Sequence, residues 1–410
     1  MSAGHVTLSR MRPALKPGLL PVWRDRDTLQ IGIDPRRAIA LTGMRSAAAV
    51  LSLLDGSRDR GQVIAAAADH GIQADAADRV ITLLTAAGTL CDFPASTIAT
   101  VPDEARARLA AELATASLAH GDGDGGARVL VRRQGAVIRV HGTGQVGSGI
   151  ASLLTASGVG RVVSVGPAAA RPPAPAAEPD EWPPPRTVLP GTSRKAPGET
   201  SRETPGRAPR ETPGRTPRET PGRTSRETPG RTSRRARGGT PPMTLSRGGK
   251  LPDLAVLAGN HDLEIASALV RERVPHLAAS AGEAIGVVGP LVVPGQSACL
   301  RCLDLARTDR DPAWPLILAQ LAGQQPDPIA CDAPLAAAVA AQASAQALAF
   351  IDRPAEAGAA LNGTLELVLP AWQWRRRTWP PHRDCDCGGR YAPGPTPPDA
   401  QPLPRPFPGA

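Results

Sequence analysis

The chain has 410 residues and a net charge of +9, and this length suits two or three domains with a substantial core. Residues 191–247 contain 14 Lys and Arg against 5 Asp and Glu, so this one segment carries the whole excess of positive charge. The near-neutral remainder argues against a folded nucleic-acid-binding face. Six cysteines suit a reduced cytoplasm and a metal site better than a disulfide framework.

The apolar runs and the N-terminus together predict a cytoplasmic protein. The apolar runs fall short of the roughly 18–20 residues of a membrane span. Residues after Met1 lack the charged start and apolar block of a secretory signal, and Met11 could equally be the true start.

Residues 12–93 predict a small unit of strands and helices. Apolar residues alternate with strand period in its first part, and three helix-like segments with stop signals and one more strand follow. The predicted elements are strands Thr28–Ile33 and Ala38–Leu41, helices Met44–Leu54, Gln62–Asp69 and Asp75–Ala87, and strand Thr89–Phe93. This order is typical of a winged helix.

The surface of this winged-helix-like unit favours a peptide over DNA. Helix Asp75–Ala87 offers Arg79 as its cation beside two aspartates, whereas phosphate contacts need several Lys or Arg. Addition of a peptide strand to the sheet edge beside that helix fits a neutral surface better. The residues expected to line such a cleft are Ile39, Leu41, Val80 and Leu84.

A glycine motif opens the second domain, which follows a helical linker over residues 94–127. An apolar strand from Val137 leads into Gly142-Thr-Gly-Gln-Val-Gly147, and a helix-like segment runs from Ile150 to Ala156. In this context Gly142, Gly144 and Gly147 predict a nucleotide-binding turn that aims backbone amides at a phosphate. The alternative is a tight turn without a ligand. Strand Arg161–Val165 completes the β-α-β unit over residues 128–166.

Residues 167–250 interrupt the domain with a low-complexity insertion that is expected to be disordered. Arg-Glu-Thr-Pro-Gly-Arg repeats with a period of eight start at Arg202, Arg210, Arg218 and Arg226. The repeat has no apolar positions to stack, so it cannot offset the entropy of ordering. Two interpretations stay open: a replication-slippage insertion in a surface loop, and an arginine-rich tether for nucleic acid or acidic protein.

Residues 251–388 predict the second half of the same α/β domain, and residues 389–410 a proline-rich tail. The predicted elements are strand Leu254–Ala258, helix Asp262–Glu272, strand His276–Ala279, paired strands over Ile285–Val293 turning at Gly289-Pro290, helix Pro334–Ile351 and strand Gly363–Leu369.

Four cysteines predict a structural zinc site. Cys299 and Cys302 form one close pair, Cys385 and Cys387 form another, and two such pairs complete a closed tetrahedral set. The two pairs are far apart in the sequence, so the metal would link the C-terminal segment to the rest of the domain. Unliganded thiols are the alternative, and His382 is a substitute ligand.

A fifth cysteine, Cys331, precedes helix Pro334–Ile351 without a flanking catalytic motif, so a packed thiol is favoured over a catalytic one.

Several segments resemble the leader-peptide-binding domain of thiazole/oxazole-modified microcin biosynthesis proteins. They are Pro13–Leu19, Val22–Asp25, Leu29–Asp34, Leu53–Gly56 and Leu83–Leu90. In that family a winged-helix element is fused to a ThiF-like domain related to ubiquitin-activating enzymes. The resemblance implies an α/β Rossmann-type fold, a homodimer, and a structural zinc from two CxxC pairs, the second of which is CxC here. It also implies a partner protein that presents a precursor leader peptide to a separate YcaO-type, ATP-using cyclodehydratase.

The nucleotide chemistry that the resemblance implies is incomplete in this sequence. Gly166-Pro167 stands where the family has an acidic residue, and Asn260 falls on the position of a magnesium-binding aspartate. Asp253 and Asp262 do not fall on the expected position. We therefore expect ATP binding to be vestigial and name no catalytic residue. The alternatives are an active adenylyltransferase for a ubiquitin-like carrier protein and, more weakly, a nucleic-acid-tethered regulator.

Overall fold

A seven-stranded sheet forms the centre of the structure, a computed structural model that describes residues 11–43, 47–92, 103–166, 250–259, 263–321, 329–353 and 358–389. The described residues belong to one unit, which excludes residues 171–241. Met44, Phe93, Asn260, Asp262, residues 167–249 with the arginine repeats, and the tail from residue 390 lie outside the described residues.

The N-terminal element consists of two small antiparallel sheets and three helices. One sheet has the order β2-β3-β4, and β1 pairs with β5. The elements are β1 (Pro13–Leu15), β2 (Pro21–Trp23), β3 (Thr28–Ile31), β4 (Ile39–Thr42), α1 (Ala47–Leu53), α2 (Arg60–Asp69), α3 (Ala74–Ala86) and β5 (Leu90–Asp92). Each predicted strand and helix has a counterpart within a few residues, whereas β1 and β2 were not predicted. The winged-helix assignment stays a prediction.

Apolar side chains that alternate along the strands form the core of this element. Leu29 and Ile31 of β3 and Leu41 of β4 face inward, and α3 contributes Val80 and Leu84 to the same buried cluster. A reciprocal cap starts α2, because Asp59 accepts from the Gln62 amide and the Gln62 side chain accepts from the Asp59 amide.

The central sheet has the strand order β12-β11-β10-β9-β8-β6-β7, in which β7, β6, β8 and β9 run parallel and the remaining pairs are antiparallel. This confirms the α/β class. The strands are β6 (Val137–His141), β7 (Arg161–Val165), β8 (Leu254–Ala258), β9 (His276–Gly282), β10 (Ile285–Val292), β11 (Gly363–Val368) and β12 (Gln373–Thr378). The helices are α4 (Asp103–Arg108), α5 (Ala110–His120), α6 (Ala127–Gly135), α7 (Gln145–Ala156), α8 (Leu263–Arg271), α9 (Leu300–Thr308), α10 (Trp314–Leu321) and α11 (Ala333–Asp352).

The predicted hairpin over Ile285–Val293 is wrong, because these residues form the single strand β10. Residues on both sides of Gly289-Pro290 pair with β9 in the same direction, and the register shifts between Val288 and Leu291. The glycine–proline pair thus marks a bulge. A Cβ at Gly289, whose φ is 107°, would overlap the carbonyl oxygen of Gly363, so the position suits only glycine.

Other elements add to or differ from the sequence predictions. The helical linker predicted over residues 94–127 contains two helices that meet at Leu109. Residues Ala127–Gly135, for which no element was predicted, form α6. Helices α9 and α10 and strand β12 were not predicted.

Helix α11 is the long core helix against one face of the sheet. By length and a mean hydropathy of 1.4 it is apolar enough to cross a membrane, contrary to the expectation from sequence. Leu335, Val339 and Ala343 are nevertheless packed in one cluster with strands β6, β8 and β9 and with α7. Its contact with α7 is close, because a Cβ at Gly149 would lie 2.9 Å from the Cβ of Ala340.

A buried ion pair joins α6 to the end of α11. Arg133 donates two hydrogen bonds to the carboxylate of Asp352, at 2.9 and 2.8 Å, and a third to Glu112 of α5 at 2.8 Å. Arg133 and Asp352 are 7% and 2% exposed. Nearby, the buried Lys16 donates to the carbonyl of Ser117, and burial lowers the pKa of Lys16. These contacts connect the N-terminal element, α5, α6 and α11.

We predict that Arg133→Met lowers the free energy of unfolding by about 3 to 5 kcal/mol, because it leaves the Asp352 carboxylate buried without its main partner. Urea unfolding measures the change. Arg128→Met on the exposed side of the same helix is the matched control, with an expected loss of less than about 1 kcal/mol. Equal effects of the two substitutions would show that the pair does not carry this stability.

Candidate functional site

The glycine motif forms the turn between β6 and α7, and two of its glycines are required by packing. Gly142 has a φ of 117°, and a Cβ there would overlap the carbonyl oxygen of Ala258 at the end of β8. A Cβ at Gly147 would overlap the carbonyl oxygen of Gly142. Both positions therefore need glycine to bring strand, turn and helix together, whether or not a ligand is bound.

Gly144 differs from the other two glycines because the space beside it is open. It has an extended backbone, precedes α7 as its N-cap, and a Cβ there would meet nothing within 4 Å among the described atoms. The first helical hydrogen bond runs from Ser148 N to Gly144 O. The amides before Ser148 thus begin the helix without intrahelical acceptors and could face an anion.

Among the described residues, carboxylates are scarce beside this turn. Gly166 follows β7 where an acidic residue was expected. Asp253 precedes β8, so it lies at the opposite edge of the parallel strands, where it accepts from the Val137 amide at 2.8 Å. Of the predicted parts of an ATP site, the described residues bring together only the glycines.

Cys331 and Asp332 lie near the carboxyl ends of the parallel strands, as the glycine turn does. The Ala284 amide, just beyond the end of β9, donates to the carbonyl of Ala330, which places the start of α11 there. Asp332 is exposed, and it caps α11 because its side chain accepts a hydrogen bond from the Leu335 amide. Burial raises the pKa of the partly buried Cys331 thiol, which favours a packed thiol over an activated nucleophile. Sequence reasoning missed Asp332; its N-cap position before an alanine-rich helix was the available signal.

The structure places the side chains expected to contact a peptide mainly in the core. Leu41, Val80 and Leu84 are 6%, 1% and 0% exposed, because they belong to the core between the small sheet and its helices. Ile39 is partly buried against the same core. Ala40 and Thr42 are the exposed residues of β4. The apolar residues of a half-buried strand point into the core, so its outer surface belongs to the alternate residues.

Strand β4 nevertheless presents a free edge among the described strands, since it pairs only with β3. The Gly43 amide donates a hydrogen bond to the Asp27 carbonyl, so these two residues continue the β3–β4 register as a hydrogen-bonded pair. In an antiparallel pair every second residue points its backbone groups outward, so those of Ala40 and Thr42 point away from β3. At the other edge Pro21 takes an outward-facing position of β2 and has no N–H to donate. The small sheet is therefore more open to strand addition at β4.

The four predicted cysteines come together and could hold a metal ion. Their sulfur atoms all lie within 4.8 Å of one another, with separations of 3.8 Å for Cys299–Cys302 and 3.6 Å for both Cys299–Cys385 and Cys302–Cys387. Zinc–sulfur bonds of about 2.3 Å in a tetrahedron require sulfurs about 3.8 Å apart. The donor set and its geometry fit such an ion. His382 instead pairs with Asp309 at 2.9 Å, so it is engaged outside the cluster.

The electrostatics of the cluster also suit a cation. The hydrogen bond from the Cys299 thiol lowers the pKa of Cys302 to about 4, and the same bond raises the pKa of Cys299. Burial raises the pKa of Cys385 to about 11. The thiol protons of the neighbouring cysteines thus stabilise the Cys302 thiolate. A divalent cation would replace those protons.

Comparison with solved structures shows which known proteins share this fold. Escherichia coli MccB in a structure with succinimide superposes with a TM-score of 0.55 at 13% identity, covering 92% of this chain and 99% of that one. MccB with AMPCPP and MccA gives a TM-score of 0.54 at 14% identity with the same coverage. The heterocyclase TruD gives a TM-score of 0.53 at 13% identity, covering 92% of this chain but 42% of TruD. No family model and no curated protein matches the sequence. At these identities the likeness establishes a fold shared with MccB and with the corresponding part of TruD.

Proposed function

We propose that this protein binds the leader segment of a precursor peptide and presents it to a separate YcaO-type, ATP-using cyclodehydratase in the cytoplasm. The open edge of β4 is the observation that carries the proposal, since an extended peptide could pair there with the Ala40 and Thr42 backbone. Such pairing takes affinity from main-chain hydrogen bonds and specificity from neighbouring side chains. We further propose that the protein is a homodimer, as its resemblance to ThiF-like proteins implies.

The shared fold supports a peptide as the partner. One of the matching structures contains MccB together with MccA, and another is a heterocyclase in complex with substrate and cofactor. This chain spans 39% of that heterocyclase, so the likeness extends only to the corresponding part of it. A separate modifying enzyme is the partner that the resemblance to microcin biosynthesis proteins implies.

A second candidate function is adenylation of the C-terminus of a ubiquitin-like carrier protein by a ThiF-like site. The open space at Gly144 and the start of α7 favour it, because they could receive the phosphates of ATP, and Asp332 is a carboxylate at the same edge of the sheet. The missing carboxylate at Gly166 argues against it, since acyl adenylation needs magnesium held and the developing charge neutralised. We therefore rank it second.

We propose zinc as the ion of the cysteine cluster, with Cys299, Cys302, Cys385 and Cys387 as ligands. A closed set of four thiolates leaves no open position for a substrate, so the role is structural. The ion would hold the start of α9 against the chain that follows β12.

We predict that Ala40→Pro weakens binding of a precursor peptide encoded beside this gene by at least about tenfold, because proline removes the outward N–H of β4. Fluorescence polarisation of the labelled peptide measures it. Ala40→Ser keeps the N–H and should bind as the wild type does. Proline is tolerated at a solvent-facing edge position, so the fold should survive. Failure of the wild-type protein to bind any such peptide would sink the proposal.

We predict that the protein does not catalyse ATP–pyrophosphate exchange above background, because the described turn lacks the carboxylates that adenylation needs. A clear exchange signal that Gly144→Asp abolishes would place the adenylyltransferase function first. The substitution is suited to this test because aspartate is a good N-cap and has room there, while its charge would repel phosphate.

We predict about one zinc per chain in the purified protein, and loss of that zinc with a lower melting temperature in Cys385→Ser. Elemental analysis and thermal unfolding measure the two effects. Cys331→Ser, which lies outside the cluster, is the matched control and should keep its zinc. A metal-free native protein of unchanged stability would exclude a structural zinc.

A further inference from the structure

The outer edge of the central sheet carries a run of arginines that the proposed function does not use. Strand β12 pairs with β11 and is the last described strand on that side. Arg375 and Arg377 lie opposite Glu366 and Thr364 and therefore share one face of the sheet. Arg376 points the other way and donates to the carbonyls of Ala359 and Leu361, so it supports a loop.

Arg307 of α9, Arg310 just beyond that helix and Arg377 of β12 surround one tryptophan. The guanidinium carbons of Arg307, Arg310 and Arg377 lie 5.6, 5.6 and 5.7 Å from the ring centre of Trp379, which is 3% exposed. A buried indole thus forms the base of a cationic surface. We call Arg307, Arg310, Arg375 and Arg377 the arginine strip.

The carboxylates around the arginine strip leave it with excess positive charge. Asp304 pairs with Arg307, and Glu366 pairs with Arg377. Among the described residues no carboxylate lies within ion-pair distance of Arg310 or Arg375. Asp309 and Asp311, next to Arg310 in the chain, accept from His382 and from the Ala313 amide. Because two of the four guanidinium groups have no paired acid in the described part of the chain, the arginine strip favours an anionic partner that accepts bidentate hydrogen bonds.

The backbone beside the arginine strip is open as well. The Trp379 amide bonds the Asn362 carbonyl in the register of the β11–β12 pair. Antiparallel alternation then directs the backbone groups of Trp374, Arg376 and Thr378 to the free edge. An extended segment that paired with this edge would place alternate side chains on the face where Arg375 and Arg377 lie.

We propose that β12 and the arginine strip form a docking site for an extended acidic segment of a second protein, which adds to the sheet edge with Asp or Glu at alternate positions. A second copy of β12 is a poor occupant, because three consecutive arginines would face three others. The chain's own tail is also unsuited, since residues 390–410 carry Asp399 as their single acidic side chain beside Arg390 and Arg405. This site is on a different sheet from β4, so the inference does not depend on leader-peptide binding.

The test uses the full chain and a fluorescein-labelled peptide of about ten residues in which glutamate and threonine alternate. We expect saturable binding by fluorescence anisotropy, weakened at least about tenfold by the double substitution Arg310→Gln/Arg375→Gln. The control Arg128→Gln/Arg161→Gln removes the same charge from exposed residues elsewhere and should bind as the wild type does. Equal weakening of both variants, or no binding by the wild type, would overturn the proposal.

A second arm tests strand addition on the unaltered protein, so it stands even if the double variant fails to fold. N-methylation of every second peptide amide removes the donors from one edge of the peptide. Of the two alternate methylation patterns, one should abolish binding and the other should leave it nearly intact. Equal affinity of both methylated peptides would refute the pairing. Tighter binding of an oligothymidylate of the same charge, lost in the Arg310→Gln/Arg375→Gln variant, would reassign the surface to nucleic acid.

Discussion

The buried ion pair between Arg133 and Asp352 is the constraint on which the arrangement of the candidate sites around the central sheet depends. It joins residues separated by 219 positions and fixes the end of α6 against the end of α11. The Arg133 carbonyl also accepts from the Ala136 and Gly160 amides, so the same residue sets where β6 begins and where β7 approaches. The glycine turn at the far end of β6 and the N-cap of α11 thus take their positions from contacts made at the opposite edge of the sheet.

On the β12 side of the sheet, the cysteine cluster is the contact that fixes the packing of neighbouring segments. Cys299 and Cys302 begin α9 and share a buried cluster with Trp379, which follows β12. The Asn362 side chain accepts from the Ala298 amide, and its carbonyl accepts from the Trp379 amide. The arginine strip therefore rests on the same packing that positions the thiols. Disruption of the cysteine cluster would be expected to disturb this edge first, while the N-terminal element keeps a core of its own.

Sequence periodicity predicted the parts of the fold that are local. Strand Leu254–Ala258 has the predicted bounds, and the helix predicted over Pro334–Ile351 extends by one residue at each end, because both have strong apolar patterns. Gly289-Pro290 misled the prediction, since a local turn signal was outweighed by pairing of the whole strand with β9. The cysteine site was predictable because thiol chemistry restricts its ligands. The surroundings of Leu41, Val80 and Leu84 were not, because the apolar residues of β4 and α3 pack into the core and only the alternate residues of β4 reach the surface. The partnership of Arg133 with Asp352 carries no local signal.

The packing of the glycine motif has an evolutionary consequence. Selection for folding alone would preserve Gly142 and Gly147, since each lies where any side chain would overlap a carbonyl oxygen. Gly144 has no such protection and is free to drift once a nucleotide is no longer used. The outer two glycines are therefore expected to persist longer than Gly144 in any lineage where no ligand constrains the middle position.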